Sequence, residues 1–307
     1  MSELNLPPAI RTHLETVLEH LYITPLERCN LCCKICYTAK TSDILTPAAI
    51  LDFVTRYRSA HKLSSVTFCG GEVMLLRVFP GLVNQLTAQG IFVQIITNGT
   101  ADRLSEFTTP NLVNTIVSLD GLPAYHDMNR GPGNFGRSLA FLQKAYTLGF
   151  HLEIFSIATR ENLPDIPAFE AYLTKALGFL PDITYHPRKP MAYLGNHPVS
   201  NQVGEIAGFD FPTSEEINAL AKTKTIFPPP GLGCYQISLM SDGKVNACCE
   251  GIRPLGDIHT DASELVENLR ARLGEWLAKH PDSPTLGCVE PDFLCGLTDP
   301  PYHTPGV

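Results

Sequence analysis

Cys29-Asn30-Leu31-Cys32-Cys33-Lys34-Ile35-Cys36-Tyr37 puts four cysteines into eight residues, directly after the apolar run Leu21-Tyr22-Ile23-Thr24-Pro25. Two frames fit this stretch. One takes Cys29, Cys33 and Cys36 as a Cys-x3-Cys-x2-Cys set followed by an aromatic residue; three thiolates leave a metal centre with an open position. The other takes all four thiols as a closed zinc knot, Cys29-x2-Cys32 and Cys33-x2-Cys36. The first frame describes a reactive centre, the second a structural staple.

The rest of the chain bounds the choice. Its 307 residues are 44% hydrophobic and 18% charged, the composition of a globular protein with room for one large α/β domain and a small appendage. A net charge of −8 argues against a dedicated nucleic-acid binder, so no nucleic acid is expected as a partner. The N-terminus lacks a basic region followed by an apolar core, and no apolar run approaches the ~20 residues that span a bilayer. A cytoplasmic setting without a membrane partner is the expectation. In that reducing compartment ten clustered cysteines point to metal before disulfides.

Working outward from the cysteine stretch, apolar strands alternate with helical patterns. A helix is predicted over 10–21, then a first strand and the cysteine loop. Thr46-Pro47 opens a second helix running to about 61, with proline just inside the cap. Val66-Thr67-Phe68 is a strand ending in Cys69-Gly70-Gly71-Glu72; a helix over 79–89 leads to a strand at 92–96 closed by Thr97-Asn98-Gly99. A short helix near 101–107 precedes a strand at 115–119 ending in Asp120-Gly121. Helices at 136–148 and 166–177 and strands at 152–158 and 183–185 complete the alternation. Six strands with helices between them indicate parallel βα units, and the polar insertions fall after the strands, the face where barrel active sites sit. The pattern breaks over 196–233, a proline-rich connector with one helix at 214–222. Cys234 then opens a hairpin that turns at Ser241-Asp242-Gly243-Lys244 and returns to Cys248-Cys249, followed by a helix at 262–279 and by Cys288 and Cys295.

These residues together carry a resemblance. Cys-x3-Cys-x2-Cys-Tyr, Gly70-Gly71-Glu72, Thr97-Asn98-Gly99 and Ser118-Leu119-Asp120-Gly121, in that order at successive strand ends, resemble the radical S-adenosylmethionine (SAM) superfamily. His126-Asp127-x2-Arg130-Gly131 with Gly133-Asn134-Phe135 is similar to its branch with a C-terminal SPASM or Twitch extension. The resemblance implies an α/β fold, a partial (β/α)6 TIM-like barrel with a small C-terminal cysteine-rich Twitch-like domain. The expected layout is an N-terminal helix at 1–20, the barrel at 21–195, the connector at 196–233, the cysteine-rich domain at 234–298 and a flexible tail at 299–307.

It also implies a chemistry: a [4Fe–4S] cluster whose open iron binds SAM, reductive cleavage to a 5′-deoxyadenosyl radical, and abstraction of a substrate hydrogen. Cys29, Cys33 and Cys36 are then the ligands and Cys32 a bystander, since adjacent Cys32 and Cys33 reach one metal together only awkwardly. Tyr37 is expected near the adenine. Gly70 and Gly71 are expected to let backbone approach the methionine moiety while Glu72 accepts from its ammonium. Asn98 is expected either as a turn residue or as a SAM contact, Ser118 and Asp120 at the ribose hydroxyls, and Cys69 as a small buried residue. Arg130 is expected either to steady the SAM carboxylate or to pair with an acid on the surface, and Arg188 either to hold a carboxylate or phosphate or to be a surface charge, the surface reading being favoured for both.

Cys234-x8-Gly243-x4-Cys248 is close to the opening signature of such extensions, with a first gap one residue short of their usual range. The resemblance implies a second, auxiliary [4Fe–4S] cluster on Cys234, Cys248, Cys288 and Cys295; zinc is the alternative for the same thiols. Cys248 and Cys249 point to opposite faces of a strand, so one of the two ligates. A spare thiol, Cys249 first and also Cys69 or Cys32, is the candidate hydrogen donor to a substrate radical. An electron donor such as flavodoxin or ferredoxin and a peptide or small-molecule substrate are the implied partners. Only about twenty residues precede the first strand, so a separate leader-peptide-binding domain is not expected. Two other classes carry the same cysteines: a non-catalytic iron–sulfur electron carrier and a zinc-stabilised binding protein.

Overall fold

The computed structural model describes residues 8–36, 38, 40–188, 206–227, 235–249 and 253–279. Helix α1 (Pro8–Leu18) leads into six parallel strands laid side by side in chain order: β1 (His20–Leu26), β2 (Ser65–Gly70), β3 (Phe92–Thr97), β4 (Val113–Ser118), β5 (His151–Ala158) and β6 (Asp182–Pro187). Between them run α2 (Pro47–Ala60), α3 (Phe79–Thr87), α4 (Pro123–Arg130), α5 (Asn134–Thr147) and α6 (Ile166–Leu177). The predicted helix near 101–107 is only a single 3-10 turn at Leu104–Glu106. Helix α4 lies where no helix was expected, on the His126-to-Gly131 stretch.

Alternation along each strand divides the molecule into two compartments. Leu21, Ile23, Val66, Phe68, Val93, Ile95, Val117 and Ile154 point outward and join Ile50, Phe53, Leu82, Leu86, Leu142 and Phe169 of the helices in one buried core. Their neighbours Tyr22, Thr67, Gln94, Ile96, Ile116, Ser118, Phe155, Ile157 and His186 face inward and line a cavity. At the foot of the strands His20 sits between the hydroxyls of Ser65 and Thr67, at 2.7 and 2.9 Å, and burial lowers its pKa to about 4. The imidazole is therefore neutral.

Beyond β6 the sheet continues. Helix α7 (Ser214–Ala221) begins at a capping box in which Thr213 and Glu216 satisfy each other's backbone N–H groups. Strand β7 (Thr225–Ile226) then adds parallel to β6. Strand β8 (Ile237–Leu239) returns to the opposite edge and pairs parallel with β1, so that Leu21 lies beside Ile237. Antiparallel β9 (Lys244–Asn246) and β10 (Pro254–Asp257) follow, the β8–β9 turn using Gly243 at φ 82°. Helix α8 (Ala262–Lys279) packs on α2, and the Arg56 guanidinium of α2 donates to the Ile258 and Thr260 carbonyls.

Over the described residues the hairpin extends the barrel's own sheet, and Leu265, Val266, Leu269 and Leu273 of α8 belong to the same core as the barrel helices. The segment after β9 also crosses the open side. Cys248 packs in a second apolar cluster with Tyr185 of β6, Ile226 of β7, and Ile217 and Leu220 of α7.

A shared core has a measurable consequence. Leu269→Ala, at a position with 0% exposure, should lower stability by about 2–5 kcal/mol. Calorimetry should show one transition moving as a whole; an early separate transition would mean that α8 and its hairpin form an independent unit.

Candidate active site

The cysteine loop leaves β1 at Leu26 and is fastened on three sides. Against β2, Gly71 N–H donates to the Leu26 carbonyl at 3.0 Å and Glu72 N–H to that of Arg28 at 3.0 Å. A Cβ at Gly70 (φ 124°) or Gly71 would collide with those same carbonyls, which is why two glycines stand there. Against β3, Asn98 Nδ2 donates to Asn30 Oδ1 at 3.0 Å, and Asn30 Nδ2 donates to Thr100 Oγ1 at 2.8 Å. Against α4, Lys34 N–H donates to the Asn129 carbonyl (3.1 Å) and Ile35 N–H to Asn129 Oδ1 (3.3 Å).

So held, the loop presents Cys29, Cys33 and Cys36 to the wall of a cavity of about 480 Å³, together with Gly70, Gly71, Asn98, Ser118 and Arg130. Cys32 is exposed and is not part of that wall. Cys29 Sγ receives the Leu31 N–H at 3.4 Å and Asn98 Nδ2 at 3.7 Å, donors that suit a thiolate acceptor. Burial pushes the Cys29 thiol up and takes Cys33 to about 11, the latter against the pull of Arg130. Thiols raised in this way ionise when a cationic centre is present, as a thiolate-bound iron centre requires. Among the described residues no three His, Cys, Asp or Glu side chains converge on a point for a single ion. The corners of a four-iron cube stand apart, so its thiolates need not converge. Three cysteines spread along one cavity wall, with N–H donors aimed at Cys29, fit such a cluster.

Two carboxylates expected to face SAM are turned elsewhere. Glu72 is fully buried: Oε1 accepts from Met74 N–H (3.0 Å) and Thr97 Oγ1 (2.8 Å), and Oε2 from Asn98 N–H (2.8 Å). Burial pushes its carboxyl up against these three donors. Its oxygens join the ends of β2 and β3, and the cavity wall is made by the glycines before it. Asp120, also fully buried, is bonded by Arg130 Nε at 2.6 Å and Nη2 at 3.0 Å, by Asn129 Nδ2 at 2.7 Å, and by Ile157 N–H at 3.3 Å. Burial raises this carboxyl, but the adjacent guanidinium outweighs it and the group lies below its usual range. Arg130 is thus an interior partner of Asp120 that also borders the cavity, not a surface charge.

Arg188 is corrected likewise. It is 7% exposed at the barrel mouth, donates to the Phe209 carbonyl and lies 4.3 Å over the Phe211 ring. Below it the His186 ring sits between Phe155 and Phe227, 4.3 and 5.2 Å between centroids. Cys69 and Cys249 border the cavity, whereas Cys248 is buried in the apolar cluster beside β7. Tyr37, Cys234, Cys288 and Cys295 lie outside the described residues. Asn129, Arg188 and His186 went unassigned or misassigned in the sequence. Only the strand end after β6 marked the last two, and nothing marked Asn129.

Parallel strands feeding an interior cavity, with a three-cysteine loop after the first, define the class. Residues 23–170 match the model of the Radical SAM superfamily, and the chain carries a radical SAM domain. Sporulation killing factor maturation protein SkfB of Bacillus subtilis (strain 168) is 29% identical over 126 residues, 38% of this chain and 30% of SkfB. The crystal structure of Streptococcus suis SuiB bound to S-adenosylmethionine is similar with a TM-score of 0.58 and 14% identity, over 75% of this chain and 60% of SuiB. Native anSMEcpe with bound AdoMet and Cp18Cys peptide gives a TM-score of 0.65 and 19% identity, over 82% of this chain and 81% of that one. The chain therefore spans less than a third of SkfB and less than two thirds of SuiB in these matches. The structural likenesses establish a partial TIM-like barrel fold. No described helix is long and apolar enough to cross a membrane.

The buried pair sets a pH test. Asp120→Asn leaves the largely enclosed Arg130 without its counter-charge and should cost about 3 kcal/mol at pH 7. Because the folded carboxyl lies below its unfolded value, its contribution is complete above the unfolded pKa of about 4 and fades as pH falls through the folded value. Denaturant titrations should thus show wild type and variant converging only below pH about 4. A gap that persists unchanged under acid would contradict the assignment.

Proposed function

We propose that this chain is a radical SAM enzyme. The observation that carries the reading is the shared cavity wall of Cys29, Cys33 and Cys36 beside the ends of β2, β3 and β4, with Cys32 outside it. These three thiols would hold a [4Fe–4S] cluster, which when bound supplies the electron that cleaves SAM to methionine and a 5′-deoxyadenosyl radical. The protein's part is positioning. Gly70 and Gly71 keep the wall beside the cysteines free of side chains, Asn98 and Ser118 offer polar atoms to SAM, and Arg130 offers positive charge toward its carboxylate. Tyr37 is assigned to the adenine on the family resemblance alone. Phe155, Ile157 and Phe227 keep the interior apolar, which protects a carbon radical from stray reaction.

A peptide is the favoured substrate. SuiB has been captured with its precursor peptide SuiA and anSMEcpe with a peptide, and both share this barrel fold. Cys249, on the cavity wall, is assigned as hydrogen donor: its S–H passes a hydrogen atom to the substrate carbon radical, leaving a thiyl. One electron from a flavodoxin- or ferredoxin-type donor and one proton return the thiyl to thiol. An auxiliary [4Fe–4S] cluster on Cys234, Cys248, Cys288 and Cys295 would relay that electron.

Anaerobic reconstitution, iron counting and assay for 5′-deoxyadenosine with dithionite and SAM test the reading. About eight irons per chain support both clusters and about four support the first alone. Cys36→Ala should abolish 5′-deoxyadenosine and Cys32→Ala should leave it within about twofold; equal loss from both would overturn the choice of Cys29, Cys33 and Cys36 as the ligand frame. Cys249→Ala should still form 5′-deoxyadenosine from SAM. In deuterated buffer with a peptide that wild type labels at carbon, it should fail to deliver deuterium. Unchanged labelling removes Cys249 from the mechanism.

A further inference from the structure

We infer that Asn129 is the positioning residue that sets the pose of Cys33 and Cys36, a role that rests on the cluster assignment above. Lys34 and Ile35, the two residues between those cysteines, give both of their N–H groups to this one residue: Lys34 to its carbonyl at 3.1 Å and Ile35 to its Oδ1 at 3.3 Å. The carbonyl is available because it lies in the last turn of α4, where helical acceptors have no partner within the helix. The side-chain amide has one orientation only. Its Nδ2 donates to Asp120 Oδ2 at 2.7 Å; a flip would set oxygen against that carboxylate and NH2 against the Ile35 N–H, and both contacts repel. Asp120 is itself fixed by Arg130.

A chain of hydrogen bonds thus runs from the end of β4 through Asp120 and Asn129 to the Cys33–Cys36 peptide. Asn129 is 3% exposed and these three polar bonds are all internal to the chain, which shields them from solvent. The loop's other fastenings, to β2 and β3, act on residues 26–30. Asn129 therefore governs the second half of the loop, where two of the three sulfurs lie. The same Asp120 carboxylate pairs with Arg130 at the cavity wall, so charge entering beside Arg130 alters the anchor that holds this half of the loop.

The test uses Asn129→Ala and the shape-conserving Asn129→Leu, with two readouts. In the metal-free chain, amide hydrogen exchange at Lys34 and Ile35 should speed up by about tenfold at Ile35, and less at Lys34, whose partner is backbone. In the reconstituted, dithionite-reduced protein the variants should load iron but give an electron paramagnetic resonance signal with shifted g-values, since Cys33 and Cys36 are no longer held in one pose. Wild-type exchange rates together with a wild-type signal in a folded variant would overturn the proposal. Loss of fold in both variants would also overturn it, in favour of a role in the barrel as a whole. A wild-type chain that takes up no iron would instead sink the cluster assignment while leaving the exchange result to stand.

Discussion

The ion pair between Asp120 and Arg130 is the contact on which the mouth of this barrel depends. Asp120 has no exposed surface and the Arg130 side chain is only 14% exposed, so leaving either charge uncompensated would cost several kcal/mol. Geometry makes the pair worth keeping. Arg130 approaches with two nitrogens, and Asn129 and Ile157 fill the remaining acceptor directions of the carboxylate. From this point the His126-to-Gly131 stretch becomes intelligible residue by residue. His126 Nδ1 accepts the Asp120 N–H at 3.2 Å, Asp127 accepts from Gly133 and Phe135 to start α5, Asn129 grips the cysteine loop and Arg130 supplies the charge. The stretch is a clasp between β4, α5 and the cysteines.

Glu72 performs the corresponding work one strand earlier. A carboxylate with no exposed surface at the end of β2 collects the Thr97 hydroxyl and the Asn98 N–H, and so fixes the end of β3. Asn98, held at its backbone by Glu72, then turns its side chain to Asn30 and Cys29. Strand ends in an open barrel have few neighbours to define them; two interior carboxylates, each saturated with donors, take the place of packing. The cavity polar groups are thereby preorganised before any ligand arrives.

Strand positions and the helices at 166–177 and 262–279 were legible in the sequence because each rests on local rules: alternation, capping and breakers. What was illegible depends on which way a side chain turns once partners arrive from distant parts of the chain. A carboxylate after two glycines suits either a ligand ammonium or a ring of backbone donors, and nothing local to Glu72 separates them. Arg188 looked like surface because arginines usually are; it is interior because Phe209 and Phe211, some twenty residues on, come back over it. The pairing of β8 with β1 joins residues more than 200 positions apart, and no local pattern encodes that choice of edge.

The adjacent pair Cys248-Cys249 shows how one apolar contact places a thiol beside the cavity. A barrel of six parallel strands leaves a gap between its first and last strands. Here the gap is flanked by β8 on one side and β7 on the other, and the chain leaving β9 reaches across it. Strand β9 ends at Asn246, and the two cysteines follow it in a bend and a turn, so packing and not strand alternation sets their directions. Cys248 is buried among Ile226, Ile217 and Leu220, while Cys249 packs against the edge of that cluster and also borders the cavity lined by Cys29, Cys33 and Cys36. The apolar contact that closes the barrel is therefore the contact that aims the thiol. Because Cys248 fills the apolar site and Cys249 sits at its edge, packing at β7 and α7 sets which sulfur borders the cavity.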